Sequence, residues 1–257
     1  MTYLKKLITF NRYLLEMNPN ICSEADSIPP TITEQRKLMR ALMNVSYPIT
    51  MSDEMQTIQD EILQEDLSKK NIVGLSDMKE FERGIYLYKG DITTLDVGAI
   101  VNAANDKMLG CFIPLHSCID NAIHSAAGLQ LREECNSIMM ENGYDAQTGQ
   151  ALITESYNLP CEKVIHTVGP VVTDRLSKRL RELLASCYKE SIKLAVENNL
   201  KSIAFCCIST GVFSYPQKEA AMCAVETVRE LKKQYDIDVI FNVFKDEDLK
   251  IYESLLK

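Results

Sequence analysis

The feature of this sequence that most limits its fold is an alternation, after Gly84, of short strand-forming runs with amphipathic helical segments. Runs rich in Val, Ile, Ala and Phe predict strands at 85–88, 99–102, 151–154, 164–168, 202–208 and 239–243. Apolar residues recur at helical spacing in 176–197, 218–235 and 246–256. This alternation is typical of an α/β fold in which helices cover both faces of a sheet. The chemistry of such folds collects at the carboxyl ends of strands, so we expect it after Val101, Val168 and Ile208.

The first 80 residues differ from the rest, because they are rich in Met, Leu, Glu and Gln. Apolar residues at helical spacing predict helices at 33–43 and 51–67, the second one beginning at Ser52 and Asp53. We therefore expect a helical N-terminal extension, residues 1–80, packed on a main domain of residues 81–257. The plainest interpretation gives this extension a stabilising or partner-binding role without chemistry.

Length, charge and cysteine content restrict the class of protein. A chain of 257 residues, 46% of them hydrophobic, is long enough for one large domain with an appendage. The formal net charge of -8 lacks the basic surface that duplex binding needs, so nucleic acid is not an expected partner. The apolar start is broken at Asn11 and Arg12, and no segment approaches the roughly 20 apolar residues of a membrane span. We expect a cytoplasmic protein whose nine cysteines are reduced thiols or metal ligands.

Six short motifs follow one another along the part of the chain that is predicted to form the sheet. They are GDIT at 90–93, VNAAN at 101–105, IDNAIH at 119–124, TGQA at 148–151, IHTVGP at 165–170 and STGVF at 209–213. In this order they resemble the macrodomains of the ADP-ribosyl hydrolase type, over roughly residues 84 to 257. The resemblance implies a three-layer α/β/α sandwich around a mixed sheet, with a cleft that binds ADP-ribose.

The resemblance also implies which residues contact ADP-ribose. The set is Asp91, Ile92, Asn102, Asn105, Ser209, Thr210, Gly211, Val212 and Phe213. A carboxylate such as Asp91 accepts a hydrogen bond from the exocyclic amine of adenine, and the amides of 209–213 suit a pyrophosphate. By resemblance, Asn105 and Asp120 are the catalytic residues at the distal ribose. Without the resemblance, a turn-capping Asp, turn-forming Asn residues and an ordinary strand-to-helix turn explain these residues equally well.

One loop departs from the usual family pattern. Many macrodomains have a string of glycines before the residue that matches Asp120, whereas this chain has Cys111, His116 and Cys118 within eight residues. Two thiolates and one imidazole supply three zinc ligands, and three protein ligands leave a fourth position open, as in catalytic zinc sites. Pro114 should help to fold the loop back so that the three donors meet. Two buried cysteines and a hydrogen-bonded histidine are the alternative explanation.

Together these features predict a zinc-dependent hydrolase that removes mono-ADP-ribose from modified protein side chains. The cysteine loop and the helical extension resemble zinc-dependent macrodomains of bacteria and fungi, often encoded beside a sirtuin-like ADP-ribosyl transferase. The resemblance implies that transferase as a functional partner and a lipoyl-carrier protein as the modified substrate. A reader module that binds ADP-ribose without cleaving it, with a structural zinc ion, is the alternative. Packing roles are predicted for His124, His166, Cys206 and Cys207.

Overall fold

The computed structural model describes residues 1–21, 28–143 and 145–257. Its centre is a seven-stranded sheet. The strands are β1 (Lys79–Glu82), β2 (Ile85–Lys89), β3 (Ala99–Ala104), β4 (Ala151–Glu155), β5 (Lys163–Val168), β6 (Ser202–Phe205) and β7 (Asp238–Val243). All six strands predicted from the sequence are therefore present.

The sheet is mixed, as predicted. Its strand order is β1-β2-β7-β6-β3-β5-β4, and the five inner strands run parallel to one another. The two edge strands are antiparallel to their neighbours, β1 to β2 and β4 to β5. Because the carboxyl ends of the five parallel strands lie at one edge, the loops that follow them meet there.

Two details of the sheet differ from the prediction. Strand β1 was not predicted, because its sequence, Lys-Glu-Phe-Glu, offers a single apolar residue at the edge of the sheet. The run predicted at 202–208 ends as a strand at Phe205. The chain turns there, since the Thr210 amide donates to Cys207 O at 3.3 Å, although Cys206 and Ile208 remain buried.

The N-terminal extension is helical, as predicted, and has an apolar cluster of its own. Its helices are α1 (Tyr3–Met17), α2 (Ile32–Val45) and α3 (Asp53–Leu67). The side chains of Thr31 and Ser52 cap α2 and α3 by accepting a backbone N–H three residues further on. The buried members of the cluster are Leu7, Phe10, Leu14, Met39, Leu42, Met43, Ile58, Ile62 and, from the main domain, Leu129. The proposed boundary at residue 80 lies close to the start of β1.

Five further helices cover the sheet. They are α4 (Ile119–Ala127), α5 (Leu129–Asn142), α6 (Lys178–Glu197), α7 (Gln217–Leu231) and α8 (Asp246–Leu255). Parallel crossovers are right-handed, so the β3-to-β5 connection and the oppositely directed β5-to-β6 and β6-to-β7 connections put their helices on opposite faces. Accordingly α4 packs on β3, while α6, α7 and α8 pack beside one another. The predicted three-layer arrangement is confirmed.

Buried polar contacts join the extension to the domain. Arg132 of α5 is 2% exposed and donates to the main-chain carbonyls of Met43 at 2.8 Å, Asn44 at 3.1 Å and Ser46. Carbonyls at the carboxyl end of a helix lack partners within the helix, so the arginine satisfies groups that burial would otherwise leave unpaired. This fixes the carboxyl end of α2 on the domain. Across the described ranges, no helix combines the length and the apolarity that crossing a bilayer requires.

Candidate active site

Three metal-binding side chains meet in the loop between β3 and α4. The Sγ atoms of Cys111 and Cys118 and a ring nitrogen of His116 all lie within 4.8 Å of one another, with 3.5 Å between Cys111 Sγ and His116 Nδ1. Donors around a tetrahedral zinc ion lie roughly 3.5 to 4 Å apart. Burial raises the pKa of the Cys118 thiol to about 11, and a bound cation would favour the thiolate instead. The chemistry and spacing of this donor set fit zinc.

A tight turn brings the donors together. The His116 amide donates to Ile113 O at 3.2 Å, and Pro114 lies within this turn, in agreement with the prediction. Leu115 adopts a left-handed backbone with φ 56°, which its β-carbon makes unfavourable. Cys118 then caps α4, since its Sγ accepts the backbone N–H three residues further on at 3.4 Å. The turn and the helix start therefore determine where His116 and Cys118 point.

The two predicted catalytic residues form one hydrogen-bonded unit with this loop. Asp120 is 5% exposed and accepts hydrogen bonds from Asn102 Nδ2 at 2.8 Å and from Asn105 Nδ2 at 3.4 Å. Asn105 Nδ2 also donates to Gly110 O at 3.1 Å, directly before Cys111. The carboxylate and the carboxamide are thus held in fixed positions beside the three metal-binding side chains.

Asn102 lies in the interior behind Asp120 rather than at the surface of the cleft. Its side chain is fully buried in β3, and Nδ2 lies between Asp120 and His166 Nδ1, 3.2 Å from the latter. Burial raises the pKa of Asp120 to about 6, although the hydrogen bond from Asn102 and the charge of Arg132 act in the opposite direction. Asn102 therefore orients the carboxylate, and its direct contact with ADP-ribose stays a prediction.

A second group of metal-binding side chains lies in the interior. His124, Cys135 and His166 are buried, with donor atoms within 4.8 Å of one another. Both nitrogens of His166 are engaged, because Asn102 donates to Nδ1 at 3.2 Å and Nε2–H then donates to Thr154 Oγ1 at 3.0 Å. Burial lowers the pKa of His166 to about 3 and also depresses that of His124, so both rings are neutral. These contacts support the predicted packing role of His166, whereas His124 is buried without a hydrogen-bond partner for either ring nitrogen among the described residues.

Asp91, which is predicted to bind adenine, and Ile92, which is predicted to contact ADP-ribose, follow β2. Asp91 Oδ1 accepts hydrogen bonds from the Thr93 amide at 3.0 Å and the Thr93 hydroxyl at 2.7 Å, and Lys70 Nζ lies 3.0 Å from Oδ2. Burial acts to raise the pKa of Asp91, but Thr93 and Lys70 together hold it below its usual value. The Ile92 side chain is buried, whereas its amide has no acceptor in the described ranges. The Asp91 carboxylate, which can accept a hydrogen bond, and the Ile92 amide, which can donate one, thus lie side by side.

The predicted phosphate-binding loop, 209–213, is a turn after β6 that is exposed at Gly211 and Val212. Its left-handed positions are Ser209, with φ 66°, and the following Ser214, with φ 57°. The amides of 211–213 donate to no protein acceptor within the described part of the chain. A β-carbon placed on Gly211 would have no heavy atom within 4 Å. Consecutive free amides beside a glycine suit the close approach of an anion.

Not every side chain of this loop faces the cleft. Ser209 is 5% exposed and packs against Gly169, where an added β-carbon would lie 2.1 Å from Ser209 Oγ. The Thr210 hydroxyl donates to Cys207 O at 2.9 Å. Val212 is exposed, and Phe213 is partly exposed. The main chain rather than the serine and threonine side chains is therefore available to a ligand.

The sequence analysis missed one aromatic residue near the cleft. Phe244 directly follows β7, and the preceding carbonyl, of Val243, accepts the Gly90 amide at 3.0 Å. Its side chain is 75% exposed, next to the segment that carries Asp91. A large aromatic residue left in solvent directly after a buried strand is the signal that would have found it.

Comparison with known proteins agrees with this architecture. Residues 101–224 match the family model of the Macro domain. A protein-ADP-ribose hydrolase from Treponema medium is 47% identical over 262 aligned residues, covering 100% of both chains. Another from Staphylococcus aureus is 44% identical and covers 88% of this chain and 86% of the relative. The Trypanosoma brucei macrodomain in complex with ADP-ribose has a TM-score of 0.67 at 31% identity, over 85% of this chain and 95% of that chain.

A mixed sheet between helical layers, with acidic, amide and glycine-containing loops at its carboxyl edge, makes this chain a macrodomain, and it belongs to that family. The predicted fold is confirmed. Within the family the chain belongs to the group of protein-ADP-ribose hydrolases, since its similarity to them extends over the extension as well as the domain. The predicted enzyme class, a hydrolase acting on glycosidic bonds, is confirmed at the level of the family.

Proposed function

We propose that this chain is a zinc-dependent hydrolase that binds ADP-ribose and releases mono-ADP-ribose from modified protein side chains. The observation that carries the proposal is the convergence of Cys111, His116 and Cys118 directly before Asp120. A metal-binding donor set on a short loop, followed by a buried carboxylate in the first turn of α4, suits a reaction at a sugar carbon. Relatives named for protein-ADP-ribose hydrolysis support the reaction, and the donor set supports the metal requirement.

The cleft offers a separate group to each part of the nucleotide. The Asp91 carboxylate suits the exocyclic amine of adenine, and the Ile92 amide suits a ring nitrogen. The exposed ring of Phe244 suits stacking on the base. The free amides of 211–213 suit the diphosphate, which they would hold without a basic side chain. In this arrangement the distal ribose extends toward Asn105.

At the distal ribose, the predicted roles follow from the hydrogen bonds of the site. Hydrolysis at the anomeric carbon passes through an oxocarbenium-like state and needs a positioned water and a stabilised leaving group. Asp120 would accept a hydrogen bond from a ribose hydroxyl or from the water, while Asn105 holds the sugar and Phe213 packs on it. Because Asn102 and Asn105 already orient the Asp120 carboxylate, it need not reorganise during the reaction.

The metal would be held by Cys111, His116 and Cys118, which leaves a coordination position for an oxygen ligand. When bound, zinc supplies Lewis-acid chemistry to a water or to sugar hydroxyls. The alternative function, a reader with a structural zinc ion, would use the same nucleotide-binding groups. It would have no use for the open position, so turnover separates the two functions.

Three finer proposals rest on sequence reasoning. We propose a lipoyl-carrier protein as the modified substrate, a sirtuin-like ADP-ribosyl transferase as the enzyme that installs the modification, and the cytoplasm as the location. The first is tested by comparing release of ADP-ribose from a modified lipoyl-carrier protein with release from a protein modified on carboxylate side chains. Faster release from the second substrate would contradict the proposed substrate without affecting the proposed reaction.

The central test combines metal analysis with an ADP-ribose release assay on wild type, His116→Ala and Cys118→Ala. Wild type is expected to contain stoichiometric zinc, and both variants to lose the metal and at least about 100-fold of the turnover. Cys223→Ala removes a thiol from α7, outside the loop, and should keep both metal and turnover. Undiminished turnover in variants that lack metal would contradict the zinc mechanism. Tight binding of ADP-ribose without turnover by zinc-loaded wild type would favour the reader.

A further inference from the structure

Helix α2 of the extension touches the metal-binding loop, which we define as residues 111–118. Arg40 Nη2 donates to His116 O at 3.1 Å, and Asn44 Oδ1 accepts the Leu115 amide at 2.9 Å. The partners are 76 and 71 positions apart in the sequence. Two side chains of the extension therefore hold main-chain groups of two consecutive loop residues.

These contacts lie on either side of a strained residue. Leu115 has a φ of 56°, a left-handed conformation that a residue with a β-carbon keeps only where its surroundings hold it. Asn44 holds the amide of Leu115, and Arg40 holds the carbonyl of the next residue. The turn that directs the His116 ring and Cys118 is thus restrained from α2.

Both restraining side chains are themselves fixed by second partners in the domain. Arg40 also donates to Asn121 Oδ1, at 2.9 Å from Nη2, and Asn121 Nδ2 donates to Ile113 O at the start of the turn, at 3.1 Å. Asn44 is 1% exposed, and its Nδ2 donates to Ser125 Oγ at 3.0 Å. Each of the two side chains is therefore held by the domain as well as by the loop.

Helix α2 contacts α4 through these side chains, because Asn121 and Ser125 both belong to α4. A groove of about 450 Å³ opens there, lined by Met39 and Leu63 of the extension and by Ala122 and Ala126 of α4. Arg40 and Leu115 also line this groove, whereas Asn44 is buried.

We propose that Arg40 and Asn44 are positioning residues of the active site, which set the direction of the His116 and Cys118 donor atoms through the turn at 113–116. The proposal rests on the proposed zinc site. It gives the extension a part in catalysis, beyond the stabilising role that the sequence suggested. Residues that orient metal ligands typically change metal affinity or activity by about 10- to 100-fold when they are removed.

The test measures zinc affinity, by competition with a chromophoric chelator, for wild type, Arg40→Met and Asn44→Ala. Each variant should bind zinc about 10-fold more weakly or worse, change its thiolate-to-metal absorption with Co²⁺, and lose kcat with little change in KM. Arg36→Met is the matched control, because Arg36 lies one turn earlier on α2 and pairs with Asp66 of the extension at 2.7 Å. Arg40→Lys, which keeps a cationic donor, should recover part of the lost affinity.

A double variant separates positioning from a general loss of stability. Leu115→Gly removes the β-carbon that disfavours the left-handed turn, so the turn should depend less on Asn44. The zinc affinity of Asn44→Ala combined with Leu115→Gly should then exceed that of Asn44→Ala alone. An equal effect of Leu115→Gly on zinc affinity in wild type and in Asn44→Ala would overturn the proposal, as would wild-type affinity in both α2 variants at a temperature where they are folded.

The proposed function fails in a different way. If wild type binds no zinc, or releases no ADP-ribose when loaded with zinc, the failure is visible before any variant is made. If wild type binds zinc and Cys118→Ala does not, while Arg40→Met and Asn44→Ala match wild type in affinity and Co²⁺ spectrum, the zinc site stands and the positioning role is overturned.

Discussion

Two loops at the carboxyl edge of the sheet follow the neighbouring strands β3 and β6. They differ in the chemical groups that they present to the cleft. The loop at 111–118 offers side-chain donors, namely two thiols and an imidazole. The loop at 209–213 offers main-chain amides and open space at Gly211. Helix α2 holds the first loop from outside the domain, whereas Gly169 and its own turns hold the second. In the proposed site, the end of the cleft that would hold the metal therefore depends on the extension, and the end that would hold the diphosphate does not.

Removing the metal should produce the largest difference between the two loops, because only the loop at 111–118 is proposed to use it. Chelation is expected to lower ADP-ribose release by about 100-fold or more. The nucleotide should still raise the melting temperature, because the 211–213 amides and Asp91 make no contact with the metal-binding side chains. At a hundred times Kd, the ligand would stabilise the fold by about 2.7 kcal/mol. Calorimetry of the chelated chain with and without ADP-ribose, beside the release assay, measures both effects.

Restoring zinc is the control for this experiment, and it should restore release. Two outcomes would contradict the proposal that only the loop at 111–118 depends on the metal. Unfolding on chelation would make the zinc structural. Loss of the ADP-ribose-induced shift in the chelated but folded chain would mean that the two loops act as one unit.

Replacing Gly211 by alanine tests the predicted phosphate-binding loop alone. The added methyl group meets no protein atom within 4 Å, and Gly211 is not left-handed, so the melting temperature should stay level or rise slightly. The methyl group would occupy space beside the free amides, so ADP-ribose affinity should fall by about 10-fold, which corresponds to about 1.4 kcal/mol. Titration calorimetry measures the affinity. Gly74→Ala, with its nearest atom at 3.9 Å and outside the cleft, is the matched control. Unchanged affinity would exclude close contact between the diphosphate and this glycine.

Much of the fold could be predicted because the spacing of apolar residues that marks a strand or a helix is a local property of the sequence. The prediction failed for elements that lack such a spacing. Strand β1 is polar and gains its pairing from β2 alone, and α5 begins directly after Gly128 with little amphipathic pattern. The apolar run at 202–208 continues past the end of β6, because Cys206 and Ile208 are buried in the loop. Apolar sequence predicts burial, and hydrogen-bonded partners decide where a strand ends.

The same distinction applies to the site. Two thiols and an imidazole indicate a candidate metal-binding loop by residue type, and the three donors do converge. Arg40 and Asn44 carry no such signal, since arginine and asparagine on a helix are ordinary surface residues and their loop partners lie more than 70 positions away. The buried position of Asn102 was equally unreadable, because its partners Asp120 and His166 come from two other elements.

The smallest effect is expected at the second strained turn. Ser214 has φ 57° and is held by its own loop, through a hydrogen bond of 3.0 Å from its amide to Gly211 O. Left-handed backbone costs a residue with a β-carbon roughly 1–2 kcal/mol, while glycine loses about 0.5–1 kcal/mol in entropy, so Ser214→Gly should stabilise the fold by about 0.5 kcal/mol. Calorimetry should show a melting temperature higher by about 1–2 °C. Ser214→Ala keeps the β-carbon and should give no gain. Equal stabilisation by both variants would assign the effect to the lost hydroxyl, and the strain at this loop would then be negligible beside that at Leu115.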